Sequence, residues 1–264
     1  MVAVVVTHLP NMQGYHAERM PIIQTCLSSL RANAGIDLPV LVWDNGSCEA
    51  LIDWLVDVYR PDYLVAGPNV GKASARASIL RMFPAGTVIA FSDDDMLFYP
   101  DWLEPQVMLL KDFPNVGAVS GWPVRTPQRQ DLSATEAWAS REAVVEIGKF
   151  IPTHELLDFA SSIGIVGKSA SQFLTAMSRE NDIRVTYNGM QAYAQSQHCQ
   201  FVCINDRLIP LATWERAAMV REKPFDAAIN AAGLLRLTTC KRYTRHMGNV
   251  LDESLRVEIA RMPA

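Results

Sequence analysis

Three short runs in the first hundred residues are apolar without interruption: Val2-Ala3-Val4-Val5-Val6-Thr7, Val40-Leu41-Val42-Trp43 and Thr87-Val88-Ile89-Ala90-Phe91. A strand with one wet face alternates apolar and polar residues, whereas an unbroken run marks a strand covered on both faces. Between these runs lie segments with helical spacing. Ile22, Ile23, Cys26, Leu27 and Leu30 recur before Gly35 and Pro39, Leu51, Leu55 and Val58 recur next, and an alanine-rich stretch runs from Lys72 to Met82. Residues 63–66 and 116–121 read as further strands, and 101–110 as a helix. Strand and helix in alternation predict an α/β fold, a mostly parallel sheet with helices on both faces. In such sheets ligands lie beyond the C-terminal ends of the strands. Thr7, Asp44 and an acidic cluster at Asp93 all stand at strand ends, so three polar segments are expected to meet at one crevice.

After Pro123 the pattern loosens. Residues 142–150, 159–166 and 201–204 read as strands. Residues 171–177 and 190–197 read as helices about a turn at Asn188-Gly189, and 225–261 as helix and loop. No repeat and no low-complexity linker divides the 264 residues, a length that suits one large domain. A net charge of −4, with 20% charged residues, gives no support for a nucleic-acid partner bound over a basic face. No apolar stretch reaches the roughly 18–20 residues that a membrane span needs. The N-terminal run lacks the basic leader of a signal peptide. Five scattered cysteines suit reduced thiols in a cytoplasmic protein. His198, Cys199 and Cys203 do not make a zinc site, because on an extended strand the two thiols stand roughly 13 Å apart.

Asp93, Asp94 and Asp95 follow the third apolar run with no basic residue between them. Three adjacent carboxylates repel one another, and a divalent cation relieves that repulsion. Side chains alternate on an extended backbone, so Asp93 and Asp95 can point the same way. The plain alternative is an acidic turn or a helix start that collects carboxylates, and a phosphatase could use the same arrangement. Lys72 and Arg76 lie four apart, on one helical face. They either face a diphosphate or form a solvated basic face. Small neighbours around Arg76 favour it for close contact. Gly67 and Gly71 do not form a dinucleotide fingerprint, and Gly71-Lys72-Ala73 lacks both the upstream glycine and the Ser or Thr of a phosphate-binding loop.

Four pieces of the first 120 residues carry a resemblance: Val4-Val5-Val6-Thr7, Val42-Trp43-Asp44-Asn45-Gly46-Ser47, Asn69-Val70-Gly71-Lys72-Ala73-Ser74-Ala75-Arg76 and Phe91-Ser92-Asp93-Asp94-Asp95. In order and separation they resemble family 2 nucleotide-sugar-dependent glycosyltransferases of GT-A (Rossmann-like) fold. The resemblance implies that residues 1–122 form the nucleotide-sugar-binding half. Residues 123–264 then form the acceptor-side and C-terminal part of the same domain. It implies that Thr7 and His8 line the nucleotide site and that Asp44 contacts the base, the plain alternative for Asp44 being a structural turn or a cap on the next helix. Asn69, Gly71, Lys72 and Arg76 would lie beside nucleotide and diphosphate. Asp93 and Asp95 match the paired aspartates of the family, with Asp94 between them and Asp95 ranked first as metal ligand. A late histidine, His246, would join the metal, the plain alternative being a surface or helix-end residue. The implied donor is a UDP-sugar or GDP-sugar with Mn²⁺ or Mg²⁺. The implied acceptor is a glycan, a lipid-linked or a small-molecule hydroxyl.

The match weakens in the second half. The family's inverting members carry a carboxylate that deprotonates the acceptor, and the matching place near Asn188 holds none. Asp182 and Asp158 are the candidates instead, with Glu155 a third. Inversion is favoured by the resemblance and retention is left open. Trp122 either stacks on a sugar or packs in the core, and Trp214-Glu215-Arg216 either forms part of an acceptor wall or places Trp214 in the core. Two other functions fit parts of the pattern. A sugar-phosphate nucleotidyltransferase would need a glycine-rich basic loop after the first strand, and 7–14 has one glycine and no lysine. A non-catalytic carbohydrate-binding protein of the same fold would explain the missing carboxylate. A homodimer and peripheral contact with a membrane are both compatible with the sequence.

Overall fold

The computed structural model describes residues 1–125, 129–212 and 223–262. The strands are β1 (Val2–Thr7), β2 (Val40–Asn45), β3 (Tyr63–Gly67), β4 (Val88–Asp93), β5 (Met96–Phe98), β6 (Val116–Ser120), β7 (Val144–Gly148), β8 (Asp182–Tyr187), β9 (Met190–Ala194), β10 (Gln200–Ile204), β11 (Leu235–Thr239) and β12 (Thr244–His246). The α-helices are α1 (Arg19–Ala32), α2 (Glu49–Trp54), α3 (Lys72–Met82), α4 (Leu103–Asp112), α5 (Ser133–Glu142), α6 (Thr153–Ser162), α7 (Lys168–Arg179), α8 (Asn205–Leu208), α9 (Lys223–Ala231) and α10 (Glu253–Ala260).

One ten-stranded sheet runs in the order β3-β2-β1-β4-β10-β6-β11-β9-β8-β7. Parallel pairing holds β3, β2, β1 and β4 together and joins β6 to β11. Antiparallel pairing makes the rest, so the sheet as a whole is mixed. The unbroken apolar run of β1 has the cause the sequence suggested. Ala3 and Val5 pack into the core beneath α1 and α4, while Val2, Val4 and Val6 pack into a second core with α3, α8 and α9. Every residue of β1 is buried. Strand β10, from the second half of the chain, is inserted between β4 and β6 of the first half.

Three segments differ from their sequence reading. Residues 159–166 are not a strand. Phe159 to Ser162 complete α6, on which Leu156 and Ala160, four apart, are the buried apolar positions. Residues 190–197 are not a helix, because Met190–Ala194 is β9, hairpin partner of β8. The turn between them, Asn188-Gly189, has φ of 49° and 81°, the left-handed pair that suits a tight hairpin. Residues 225–261 hold β11 and β12 as well as helices. Among the described residues no helix is long and apolar enough to cross a membrane.

Candidate active site

Strand β4 ends at Asp93, and the chain turns through Asp94 and Asp95 directly into β5. A second, two-stranded sheet then fixes this turn. Strand β12 pairs antiparallel with β5, setting His246 opposite Met96, and Met247 N donates to Asp95 O at 2.8 Å. That pairing carries His246 across most of the sequence to the acidic turn, with Nε2 3.4 Å from Asp95 Oδ2.

Two cations answer the three carboxylates. Arg19, the first residue of α1, is buried and donates from Nη1 to Asp95 Oδ2 at 3.0 Å and from Nη2 to Asp94 Oδ1. Nη1 also reaches Asn249 Oδ1 at 2.9 Å. Lys72, at the start of α3, donates to Asp93 Oδ2 at 2.7 Å. The repulsion expected from the sequence is therefore relieved in part by the chain itself. Burial pushes the Asp94 carboxyl up to about 6 against the pull of Arg19. Burial works the same way on Asp95, but His246 and Arg19 together hold it below the usual carboxylate range. Burial lowers the His246 imidazole, and Asp95 more than reverses that, leaving it above its ordinary value.

The loops after β1, β2 and β3 build the neighbouring wall. His8 N donates to Asp94 Oδ2 at 3.1 Å, and His8 Nδ1 meets Asn45 O at 3.0 Å. Asn45 Oδ1 accepts from Val70 N at 2.8 Å, and Asn45 Nδ2 donates to Asn69 Oδ1 at 3.0 Å. Gly46 makes this approach possible, since a Cβ there would stand 2.8 Å from Asn69 N on a backbone with φ of 86°. His8, Asn45, Asn69, Gly71, Lys72 and the three aspartates line a cleft of about 300 Å³. Tyr15 and Asp95 belong also to a larger cavity of about 630 Å³. Its further lining includes His246, Asn249, Asp252 and the end of α6 at Ser161 and Ser162. Asp95 thus stands on the wall between two cavities.

Other predicted residues lie elsewhere. Thr7 is fully buried, and its hydroxyl donates to Asp44 Oδ1 at 3.1 Å. Asp44 Oδ2 accepts from Gly46 N and Ser47 N at 3.1 and 3.0 Å, so Asp44 ties the turn after β2 and is itself shut away from the cleft. Arg76 does not line the cleft, because it is buried under α9 with its guanidinium 3.8 Å from the centre of the Phe225 ring. Asp182 is buried in a two-point ion pair with Arg125 and also accepts from Phe150 N and Ile151 N. Its two oxygens thus take four donors of the chain itself, and it lines neither of the two cavities that meet at Asp95. Asp158 gives its two oxygens to Arg242 and Arg245, at 2.5 and 3.2 Å. Trp122 is core, with its Nε1 donating to Glu155 Oε2 at 2.8 Å. The segment Trp214-Glu215-Arg216 lies outside the described residues. Sequence reasoning missed Arg19, Asn249 and Asp252, none of which stands in a motif that would single it out, and it passed over Asn45, which stands beside Asp44 in the 42–47 motif.

The model of glycosyl transferase family 2 matches residues 15–175, well over half of the chain. The chain belongs to this family. As a member of this family it carries the mixed sheet, flanked by helices, of a GT-A-like fold. Among solved structures it is similar to the mannosyltransferase PcManGT from Pyrobaculum calidifontis in complex with GDP-Man and Mn²⁺. The identity is 25% over 48% of this chain and 36% of that one, with a TM-score of 0.35. It is also similar to GalNAc-T7 with UDP, GalNAc and Mn²⁺, at 12% identity over 93% of this chain and 42% of that one, with a TM-score of 0.49. The chain spans less than half the length of either structure. No curated protein matches it.

Among the described residues no group of three or more His, Cys, Asp or Glu side chains could hold a metal by itself. What the family 2 site offers is smaller. Asp95 Oδ1 and His246 Nδ1 are both buried without a hydrogen-bond partner. A buried polar atom with no partner is costly unless a ligand completes it.

Proposed function

We propose that this chain transfers a sugar from a nucleoside diphosphate to an acceptor hydroxyl, with a divalent cation, Mn²⁺ or Mg²⁺, at the acidic turn. One observation carries the reading: β12 delivers His246 to within 3.4 Å of Asp95, on the wall that two cavities share. Asp95 and His246 would hold the ion, and the donor's diphosphate would supply further oxygens, which is why no third protein ligand is needed. When bound, the ion neutralises charge that builds on the departing diphosphate. The smaller cleft, with Lys72 on Asp93 and the Asn45–Asn69 pair on its wall, is the place for the nucleotide diphosphate. A UDP-sugar or GDP-sugar suits that polar cleft.

The larger cavity takes the acceptor, whose hydroxyl then reaches the sugar from the side away from the diphosphate. Direct displacement in that geometry inverts the anomeric carbon. Of the carboxylates, Asp252 lines this cavity together with Asp95, and we assign Asp252 to the acceptor proton.

Calorimetry of UDP and GDP with and without Mn²⁺ tests the metal assignment. Binding should need the ion and should be lost in Asp95→Ala and weakened about tenfold or more in His246→Ala. Tight nucleotide binding that survives both chelator and Asp95→Ala would overturn it.

A further inference from the structure

Asp95 Oδ2 is already engaged by two groups, Arg19 Nη1 at 3.0 Å and His246 Nε2 at 3.4 Å. Arg19 is held there by more than this contact. Its Nη2 is on Asp94, Asn249 shares its Nη1, and its side chain is 9% exposed. A divalent ion on Asp95 would stand beside this guanidinium, and two cations at contact repel strongly in a partly dry site. The guanidinium cannot lose its proton to make room. Asp94 and the two partner atoms of Asn249 and Asp95 keep it in place when no ion is near.

We infer that Arg19 is a resident counter-cation that makes metal uptake conditional on the donor's diphosphate. This rests on the reading of Asp95 as a metal ligand given above. Without nucleotide, Arg19 neutralises Asp94 and Asp95 and opposes the ion. A diphosphate in the cleft, which Arg19 also lines, brings enough negative charge for guanidinium and metal ion to coexist. Metal and diphosphate then bind cooperatively, and each raises the affinity for the other by the same factor. Arg19 is a positioning residue in this scheme, and its mark is on ion binding rather than on turnover.

The test is a titration of the full chain with Mn²⁺, reading free ion by electron paramagnetic resonance, alone and with saturating UDP or GDP. In the wild-type chain the nucleotide should tighten Mn²⁺ binding about tenfold or more. Arg19→Met should tighten Mn²⁺ binding in the absence of nucleotide by about tenfold or more, and shrink the nucleotide's effect. An Arg19→Met chain whose affinity for Mn²⁺ alone is unchanged or lower overturns the inference, provided that Asp95→Asn abolishes the binding. If Asp95→Asn leaves Mn²⁺ binding intact, the metal assignment itself fails. Should Arg19→Met not fold, Arg19→Lys serves, since an ammonium is a point charge that cannot bridge Asp94 and Asp95 as a planar fork does. A several-fold gain in Mn²⁺ affinity then supports the inference, and no gain overturns it.

Discussion

Arg125 and Asp182 face each other as a two-point ion pair, Nε on Oδ1 at 2.6 Å and Nη2 on Oδ2 at 2.7 Å, both side chains closed to solvent. Removing one partner of such a pair strands a buried charge, at a cost of about 3–5 kcal/mol. Asp182→Ala also unpairs the amides of Phe150 and Ile151. Its melting temperature should fall by about 10 °C, given roughly 2–4 °C per kcal/mol for a chain of this size. Activity per folded molecule, measured well below the melting point, should stay within a few-fold of wild type. A normal melt with a hundredfold loss of kcat would restore Asp182 as the base.

Lys72 and Arg76 separate in the same way. Lys72 lies on the cleft and touches Asp93, so Lys72→Ala should weaken UDP or GDP binding about ten- to hundredfold with little change in stability. Arg76 packs on Phe225, so Arg76→Ala should cost about 2 kcal/mol or more of stability and leave nucleotide affinity unchanged. Calorimetry and thermal melts on the two variants check the split, and equal loss of affinity in both would refute it.

Gly248 lies where the strand carrying His246 leaves the site. Its φ is 76°, and a Cβ there would come within 2.5 Å of the Ser162 carbonyl oxygen at the end of α6. Gly248→Ala must shift the backbone between Met247 and Asn249. That segment holds the Met247 bond to Asp95 and the Asn249 bond to Arg19. The variant should lose most of its transfer activity, with a fall in melting temperature of only several degrees. Full activity would show that this loop does not position the site.

How far the sequence could be read follows from the range of each interaction. Val2–Thr7 announced a strand covered on both faces because burial leaves its mark in local composition. Helix α3 was legible to the residue, since Gly71, with φ of 82°, starts it and alanine fills it. Strand β12 was not legible. Thr244-Arg245-His246 has no apolar pattern, and only its partner β5 makes it a strand. Arg19 was invisible for a similar reason, because its carboxylate partners are 75 and 76 positions away. Arg76 failed differently. Four residues place it on the same side of α3 as Lys72, but one turn, about 5.4 Å, carries it from the cleft to the packing beneath α9. The Asn188-Gly189 pair was legible as a turn, and only the pairing of β8 with β9 makes it a hairpin turn in place of a link between helices.

Asp252 supplies the sharpest test of the acceptor side. It is the N-cap of α10, with Oδ1 accepting from Leu255 N at 2.8 Å. That bond fixes its place on the cavity wall and commits one oxygen, while Oδ2 has no partner among the described contacts. Asp158, by contrast, has both oxygens on guanidinium groups. Asparagine caps a helix about as well as aspartate. Asp252→Asn should therefore melt within a degree or two of wild type and bind nucleotide with Mn²⁺ unchanged. Its kcat should fall about a hundredfold or more, the usual loss when a base is removed. Asp158→Asn should instead lower stability, as Arg242 and Arg245 lose a shared partner, with a smaller change in kcat. If Asp252→Asn turns over within twofold of wild type while Asp158→Asn is inactive and stable, the acceptor proton goes to Asp158. The ion pairs with Arg242 and Arg245 would then have to open when acceptor binds.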